Sequence, residues 1–149
     1  MRVFVRAVLL VSGLLVATAL AGQQQLPIVE LSVGMHRIEA EVAHTDQTRR
    51  IGLMNRQSMP EQRGMVFVFT HDARHCMWMR NTLIPLSVAF LDDEGRILNV
   101  EDMEPLSEES HCAADPARFA LEMNQGWFDK RGIGDGARIR GVERLPEGR

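Results

Sequence analysis

The sequence predicts a mainly β or α+β domain, built on a small, barrel-like antiparallel sheet with one or two short helices. Three observations support this fold class. Short apolar or alternating runs recur at close spacing, turn-forming residues separate them, and few segments combine a helix cap with helical spacing. Many short strands with few helices are typical of small β-rich domains.

The amino terminus predicts a secretory signal peptide over residues 1–21. A basic start is followed by an apolar run from Ala7 to Leu20, and Ala19 and Ala21 supply the small residues of a cleavage site. The apolar run is shorter than the roughly 20 residues that a membrane-spanning helix needs. We therefore expect an exported protein, periplasmic or secreted, with a single domain over residues 22–149.

The charge of this domain argues against two classes of partner. The whole chain has a formal charge of −3, and removal of the two arginines of the signal peptide leaves −5. Nucleic acids and anionic membranes both attract basic faces, so neither is expected as a partner of the exported domain. The oligomeric state is left open, and a small polar molecule is the partner we favour.

The domain begins with two predicted strands, Ile28–Val33 and His36–Ala43, on either side of Gly34. In the second run, residues 36–42 alternate between a largely apolar face and a charged face. Such alternation is typical of a strand with one face on the core.

One helix is predicted to begin after Thr45 and to run to about Asn55. Thr45 is a suitable N-cap, and Asp46 would place a negative charge in the first turn, where the helix dipole favours it. The spacing of the apolar residues points Ile51 and Met54 inward.

Three further strands are predicted in the middle of the chain. Gly64–Phe69 is apolar on both faces, as expected for a buried central strand. His75–Arg80 is another strand candidate. Leu86–Leu91 and Arg96–Glu101 flank Asp92–Gly95, which predicts a hairpin.

The last third of the chain alternates between loops and strands. Residues 101–115, the acidic loop, contain no lysine or arginine. Arg118–Met123 is predicted to be a strand whose odd-numbered residues face the core, with Glu122 opposite. A short helical turn near Trp127 and a last strand, Ala137–Val142, complete the prediction.

Several stretches carry a resemblance to a known family. They are Arg50–Arg56 (RIGLMNR), Gly64–Phe69 (GMVFVF), Met77–Leu86 (MWMRNTLIPL), Ala120–Glu122 (ALE) and Gly134–Asp135. With these motifs the chain resembles the domain-of-unknown-function 192 family over nearly all of the domain. The resemblance implies a compact, mainly β fold and commonly an exported protein, but no established activity. Many members carry an aspartate where this chain has Ser87, so any role of that carboxylate would be missing here.

The two cysteines, Cys76 and Cys112, predict a disulfide, because an even pair in an oxidising compartment is most simply bonded. Such a bond would tie the acidic loop to the sheet and stabilise the fold by roughly 3–4 kcal/mol on the chain-entropy estimate. Zinc is the alternative, since each cysteine follows a histidine. However, neighbouring residues of a strand point to opposite faces, and the usual ligand spacing is absent.

Copper is a second metal alternative. His75, Met77 and Met79 alternate along a predicted strand, and thioether and imidazole ligands suit Cu(I). Methionine also fills irregular cores, which is the commoner use. No metal is favoured on balance, and no cofactor is predicted.

The candidate ligand site consists of polar and aromatic residues at the ends or off-core faces of the motif-bearing elements. They are Arg50, Arg56, Trp78, Asn81, Thr82 and Glu122. Trp78 would form a wall and the polar groups would supply hydrogen bonds, a mixture that suits a small polar ligand such as a sugar. In the alternative interpretation Asn81 and Thr82 stabilise a tight turn, and Arg50 or Arg56 pairs structurally with Glu122.

These residues favour a binding or accessory module over an enzyme, although they do not decide the question. A hydrolase that uses Glu122 or a carboxylate of the acidic loop is the enzymatic alternative. The sequence contains no G-x-S-x-G nucleophile elbow. It identifies neither a catalytic residue nor the ligand.

Overall fold

A computed structural model describes residues 24–149, and the predicted signal peptide lies outside these residues. The strands are β1 (Ile28–Val33), β2 (His36–Ala43), β3 (Arg63–Ala73), β4 (Cys76–Met77), β5 (Leu86–Leu91), β6 (Ile97–Met103), β7 (His111–Cys112) and β8 (Ala117–Asn124). One α-helix, α1, covers Asp46–Ile51, and 3-10 helices cover Asp129–Arg131 and Val142–Arg144.

Six strands form one sheet in the order β1-β2-β3-β8-β5-β6, and β4 pairs with β7 in a small second sheet. The mainly β class with short helices is confirmed. The large sheet is mixed rather than antiparallel, because β2 and β3 run parallel. The segment that contains α1 crosses over between them, as parallel neighbours require. The barrel-like shape is not found, since the described strands form an open sheet that ends at β1 and β6.

Both faces of the large sheet are covered. On one face Val66 and Leu121 pack beneath the carboxyl-terminal segment, which contributes Trp127 and Phe128. On the other face Phe67 and its neighbours in the sheet pack against the segment between α1 and β5. That segment contributes four buried residues to this core, namely Leu53, Met59, Met79 and Ile84. The central position predicted for Gly64–Phe69 is confirmed, because β3 lies between β2 and β8 and is buried on both sides.

Helix α1 is shorter than predicted. Thr45 caps it, since its side chain accepts a hydrogen bond from the backbone N–H of Thr48. The helix ends at Ile51, because Gly52 takes a positive φ of 47° and turns the chain. The predicted extension to Asn55 is therefore wrong, and Ile51 points to solvent with 38% of its area exposed. Leu53 fills the core position instead.

Two predicted strands are shorter or absent. Of His75–Arg80, only Cys76–Met77 pairs as a strand. The backbone N–H of Met79 then donates to Ser107 in the acidic loop, at 2.9 Å. The predicted strand Ala137–Val142 makes only isolated bridges, one of them between Ser32 and Arg140. Gly136 precedes this segment with a φ of 82°, and Gly141 lies within it with a φ of 100°. Regular strands need negative φ, so these glycines interrupt the pairing.

Candidate functional site

Glu122 lies in the centre of the sheet, on β8. Its neighbours across the sheet are Met65 on β3 and Val88 on β5. Only 4% of Glu122 is exposed, and burial raises the pKa of its carboxyl group from about 4.5 to about 8. Desolvation is the cause, since burial removes water that would stabilise the charged carboxylate. The carboxyl group is therefore mostly protonated at neutral pH.

Glu122 borders a small cavity of about 30 Å³, which we call the Glu122 recess. Its lining includes Arg50, Trp78, Thr82 and Glu122 itself. Four of the six predicted ligand residues therefore meet at one place. The volume is enough for about two or three water-sized groups, since a water needs about 10–15 Å³ measured in this way.

A wider depression of about 480 Å³, the Trp78 cleft, adjoins the recess. The cleft lies between α1, the outer part of β3 and β4. The Trp78 cleft and the Glu122 recess share five lining residues, namely Arg49, Arg50, Phe67, Met77 and Trp78. A ligand lying in the cleft could therefore extend one small group into the recess.

Trp78 forms the exposed wall of the cleft, with 47% of its area accessible. The guanidinium carbon of Arg80 lies 5.5 Å from the centre of its ring, a cation–π contact. Arg80 also approaches Glu108 of the acidic loop at 3.7 Å. Arg80 thus links the aromatic wall to the acidic loop.

The arginines of α1 have different roles. Arg49 is committed to the fold, because its guanidinium donates to Asp46 at 2.5 Å and to the backbone oxygens of His44 and Val68. Arg50 is exposed and lines both the cleft and the recess. Among residues 24–149, no carboxylate lies within 4.0 Å of the Arg50 guanidinium nitrogens.

Thr82 serves the local turn and still faces the recess. Its hydroxyl donates to the backbone oxygen of Arg80 at 3.3 Å, and its own carbonyl accepts from Leu106 at 3.0 Å. The predicted turn role is therefore present. The hydroxyl oxygen keeps lone pairs with which it can accept a hydrogen bond from a ligand.

The structure places the other two predicted residues elsewhere. Arg56 is buried in a double hydrogen bond with Glu41, at 2.5 and 2.6 Å, beside a separate depression. Its structural partner is therefore Glu41 and not Glu122. Asn81 is exposed and adopts a φ of 55°, and its carbonyl accepts from the backbone of Asn55. Asparagine tolerates this left-handed conformation better than most residues, so Asn81 shapes the loop.

Sequence reasoning missed several residues of the site. Arg49, Phe67, Met77 and Arg80 line the recess, and Glu41 is buried although alternation placed it on the charged face. A signal was available for Phe67, because it lies within the motif-bearing run Gly64–Phe69.

The predicted disulfide is present, with 2.02 Å between the sulfur atoms of Cys76 and Cys112. The two cysteines are direct cross-strand partners on β4 and β7, so the bond fixes the acidic loop beside the cleft. Bonded sulfurs are not thiolates, so this structure does not support the zinc interpretation.

The three residues of the copper alternative do not lie together on one face of a strand. Met77 is partly exposed in the cleft, whereas Met79 is fully buried in the core, because β4 ends at Met77. His75 stacks on Phe69 with 3.7 Å between the ring centres. In residues 24–149 no three His, Cys, Asp or Glu side chains are placed to hold a metal ion.

Ser87, where many relatives carry aspartate, lies on the opposite face of the sheet from Glu122. Val88 is the direct neighbour of Glu122, and adjacent residues of a strand alternate in direction. The Ser87 hydroxyl donates to Asp102 at 2.5 Å and accepts from the backbone N–H of Gly126 at 2.9 Å. The missing aspartate therefore does not remove a carboxylate from the Trp78 cleft.

No helix in the described part of the chain is both long and apolar enough to span a bilayer.

Comparison with known proteins agrees with the fold. A solved structure of a protein of unknown function from Novosphingobium aromaticivorans DSM 12444 is 32% identical, with a TM-score of 0.75, and the match covers 78% of this chain and 86% of that one. A second, from Sinorhizobium meliloti 1021, is described as a candidate transcription regulator. It is 29% identical, with a TM-score of 0.76, over 81% of this chain and 98% of that one. No curated protein matches the chain. The model of the DUF192 family (Uncharacterized ACR) matches residues 29–141, and the chain therefore belongs to this family.

Proposed function

We propose that this chain is an exported binding module that holds a small polar ligand in the Trp78 cleft and the Glu122 recess. The observation that carries the proposal is the buried glutamate Glu122, which lines the recess together with the half-exposed Trp78. Burying a carboxyl group destabilises a fold unless hydrogen bonds compensate for the lost hydration. A ligand that supplies such hydrogen bonds would explain why the group is there, and perturbed carboxyl groups cluster at functional sites.

Export is part of this proposal. The basic start and apolar run of residues 1–21 favour it, and the disulfide is compatible with an oxidising compartment. In such a compartment the cleft would meet free small molecules and cell-envelope polymers.

A hydrolase is the second candidate, because a carboxyl group with a pKa near 8 can act as a general acid at neutral pH. Glycoside hydrolysis of the common kind also needs a second carboxylate within roughly 5–10 Å. The other carboxylate among the residues lining the cleft and recess is Asp46, which is paired with Arg49. The described lining therefore supports binding better than catalysis.

Tryptophan fluorescence gives a direct test. The chain has two tryptophans, and Trp127 is only 3% exposed, so a ligand in the cleft should change mainly the emission of Trp78. The mature protein is titrated with a panel of small polar compounds that includes neutral and acidic sugars. Binders are then measured by calorimetry against Trp78→Leu, Glu122→Gln and the control Arg37→Gln, which changes a residue that is 80% exposed in its side chain on β2.

A binding module should lose at least tenfold in affinity, about 1.4 kcal/mol, with either site variant and nothing with the control. A hydrolase should keep its affinity in Glu122→Gln but stop forming product. Binding that is unchanged in both site variants, or no binder in the panel, would refute the proposed site.

A further inference from the structure

We infer that the ligand is an acidic sugar, in which each bound unit carries one negative charge. This inference rests on the proposed function and specifies its ligand class. It follows from the charge, the apolar wall and the size of the recess, taken together.

The charged groups around the recess make it cationic. Arg49, Arg50 and Arg80 line it, and the acid that faces them is Glu122. Burial keeps Glu122 neutral at pH 7, Arg49 is neutralised by Asp46, and Arg80 shares its charge with Glu108. A domain whose formal charge is −5 after signal removal therefore presents an uncompensated guanidinium in its cleft, that of Arg50.

A single uncompensated arginine fits a monoanion best. A carboxylate or a sulfate ester carries one charge and accepts paired hydrogen bonds from a guanidinium. A phosphate monoester carries nearly two charges at pH 7 and would need a second free cation. Because Glu122 is protonated, it does not repel such an anion.

The apolar wall indicates the body of the ligand. Trp78 is exposed beside Phe67, Phe69 and Met77, so the cleft offers an aromatic surface with hydrogen-bonding groups at its edges. A sugar ring has an apolar face of C–H groups with hydroxyls around its rim. It can therefore lie on Trp78 and still reach the polar groups.

The size of the recess decides which group enters it. At about 30 Å³ the recess is too small for a sugar ring but large enough for one hydroxyl. That hydroxyl would accept a hydrogen bond from the protonated carboxyl of Glu122 and donate one to the hydroxyl oxygen of Thr82. The ring would remain in the cleft, with its anionic group near Arg50.

The test uses calorimetry on the mature, disulfide-bonded protein at low salt. Trigalacturonic acid and a sulfated chondroitin disaccharide serve as acidic probes, within a panel of uronic and sulfated oligosaccharides. Galactotriose serves as the neutral probe of matched length. We expect acidic probes to bind at least tenfold more tightly than the neutral one. Arg50→Gln should remove that difference, and Arg37→Gln should leave it intact.

The outcomes separate this inference from the proposed function. Equal binding of acidic and neutral sugars, weakened alike by Trp78→Leu, would overturn the anionic preference and leave a sugar-binding cleft. If no acidic sugar of the panel binds, the inference is wrong, whatever else occupies the cleft. A preference for acidic sugars that survives Arg50→Gln would also overturn it, because a group other than Arg50 would then bind the anionic group of the sugar.

Discussion

The buried carboxyl group of Glu122 makes a quantitative prediction about stability and pH. In the unfolded chain the pKa of a glutamate is about 4.5, and in the folded protein burial raises that of Glu122 to about 8. Between these values the folded state holds a proton that the unfolded state has released. Stability must therefore fall as the pH rises from about 4.5 to about 8, and the contribution of Glu122 levels off outside that window.

The size of the effect follows from the shift. Each pKa unit corresponds to about 1.4 kcal/mol, so a shift of this size gives at most roughly 5 kcal/mol. Relaxation around a newly charged group reduces that figure, and we expect about 2–4 kcal/mol between pH 5 and pH 8.5. The other charged groups that line the recess are Arg49, Arg50 and Arg80.

The assay compares the wild type with Glu122→Gln, which replaces the carboxyl with a neutral amide of similar shape. Urea unfolding of the disulfide-bonded protein is measured at half-unit steps from pH 5 to pH 8.5. The difference between the two proteins cancels the titration of groups that are the same in both. The variant should gain stability relative to the wild type as the pH rises. Curves that stay parallel to within about 0.5 kcal/mol would refute a raised pKa and the protonated carboxyl on which the ligand model depends.

Three further predictions concern the framework around the site. Arg56→Ala should destabilise the fold by about 3–5 kcal/mol, because it leaves the Glu41 carboxylate buried and unpaired; urea unfolding should show that Glu41→Gln in the same chain recovers part of the loss. Replacing both Cys76 and Cys112 with serine should lower the free energy of urea unfolding by roughly 3–4 kcal/mol and speed hydrogen exchange in the acidic loop. Unchanged exchange in that loop would contradict the role given to the disulfide. Gly64→Ala should destabilise by about 2 kcal/mol or more, because the new carbon would lie 2.6 Å from a backbone oxygen of β8; an unchanged melting temperature would contradict the close packing of β3 on β8.

Local patterns in the sequence predict much of this fold. The strands β2 and β8, the apolar run of β3 and the hairpin at Asp92 all depend on neighbours along the chain, and each has its counterpart in the structure. The alternation itself fails at Glu41 and Glu122, which are buried. The parallel pairing of β2 with β3 depends instead on where the α1 segment crosses the sheet. No local pattern encodes that crossing, so the sheet was expected to be antiparallel.

The residues of the candidate site also fall into those that local sequence predicts and those that depend on the three-dimensional fold. Trp78 and Thr82 could be predicted because they lie within one contiguous motif, next to the strand that carries Cys76. The burial of Glu122 could not be predicted, because alternation shows only that it faces away from Leu121. It does not show that Leu53 and Met79 cover that face too. The pairing of Arg56 with Glu41 could not be predicted either, because it depends on the three-dimensional arrangement of distant segments.

That register supplies the strongest argument that Glu122 is kept for a ligand. Glu41, Met65, Glu122, Val88 and Glu101 lie side by side on five neighbouring strands, so three glutamates occupy one row across the sheet. Glu41 is buried and held by the guanidinium of Arg56, while Glu101 is half-exposed, 3.9 Å from a histidine nitrogen. Glu122 is buried, and within residues 24–149 no cation lies within 4.0 Å of its carboxyl, although three arginines line its recess. A carboxyl group needed only for stability would be paired like Glu41 or replaced by an apolar residue, since an apolar side chain packs there without desolvating a polar group. Within the described residues Glu122 is therefore the one glutamate of this row that is buried without an ion pair, which supports the proposed ligand site.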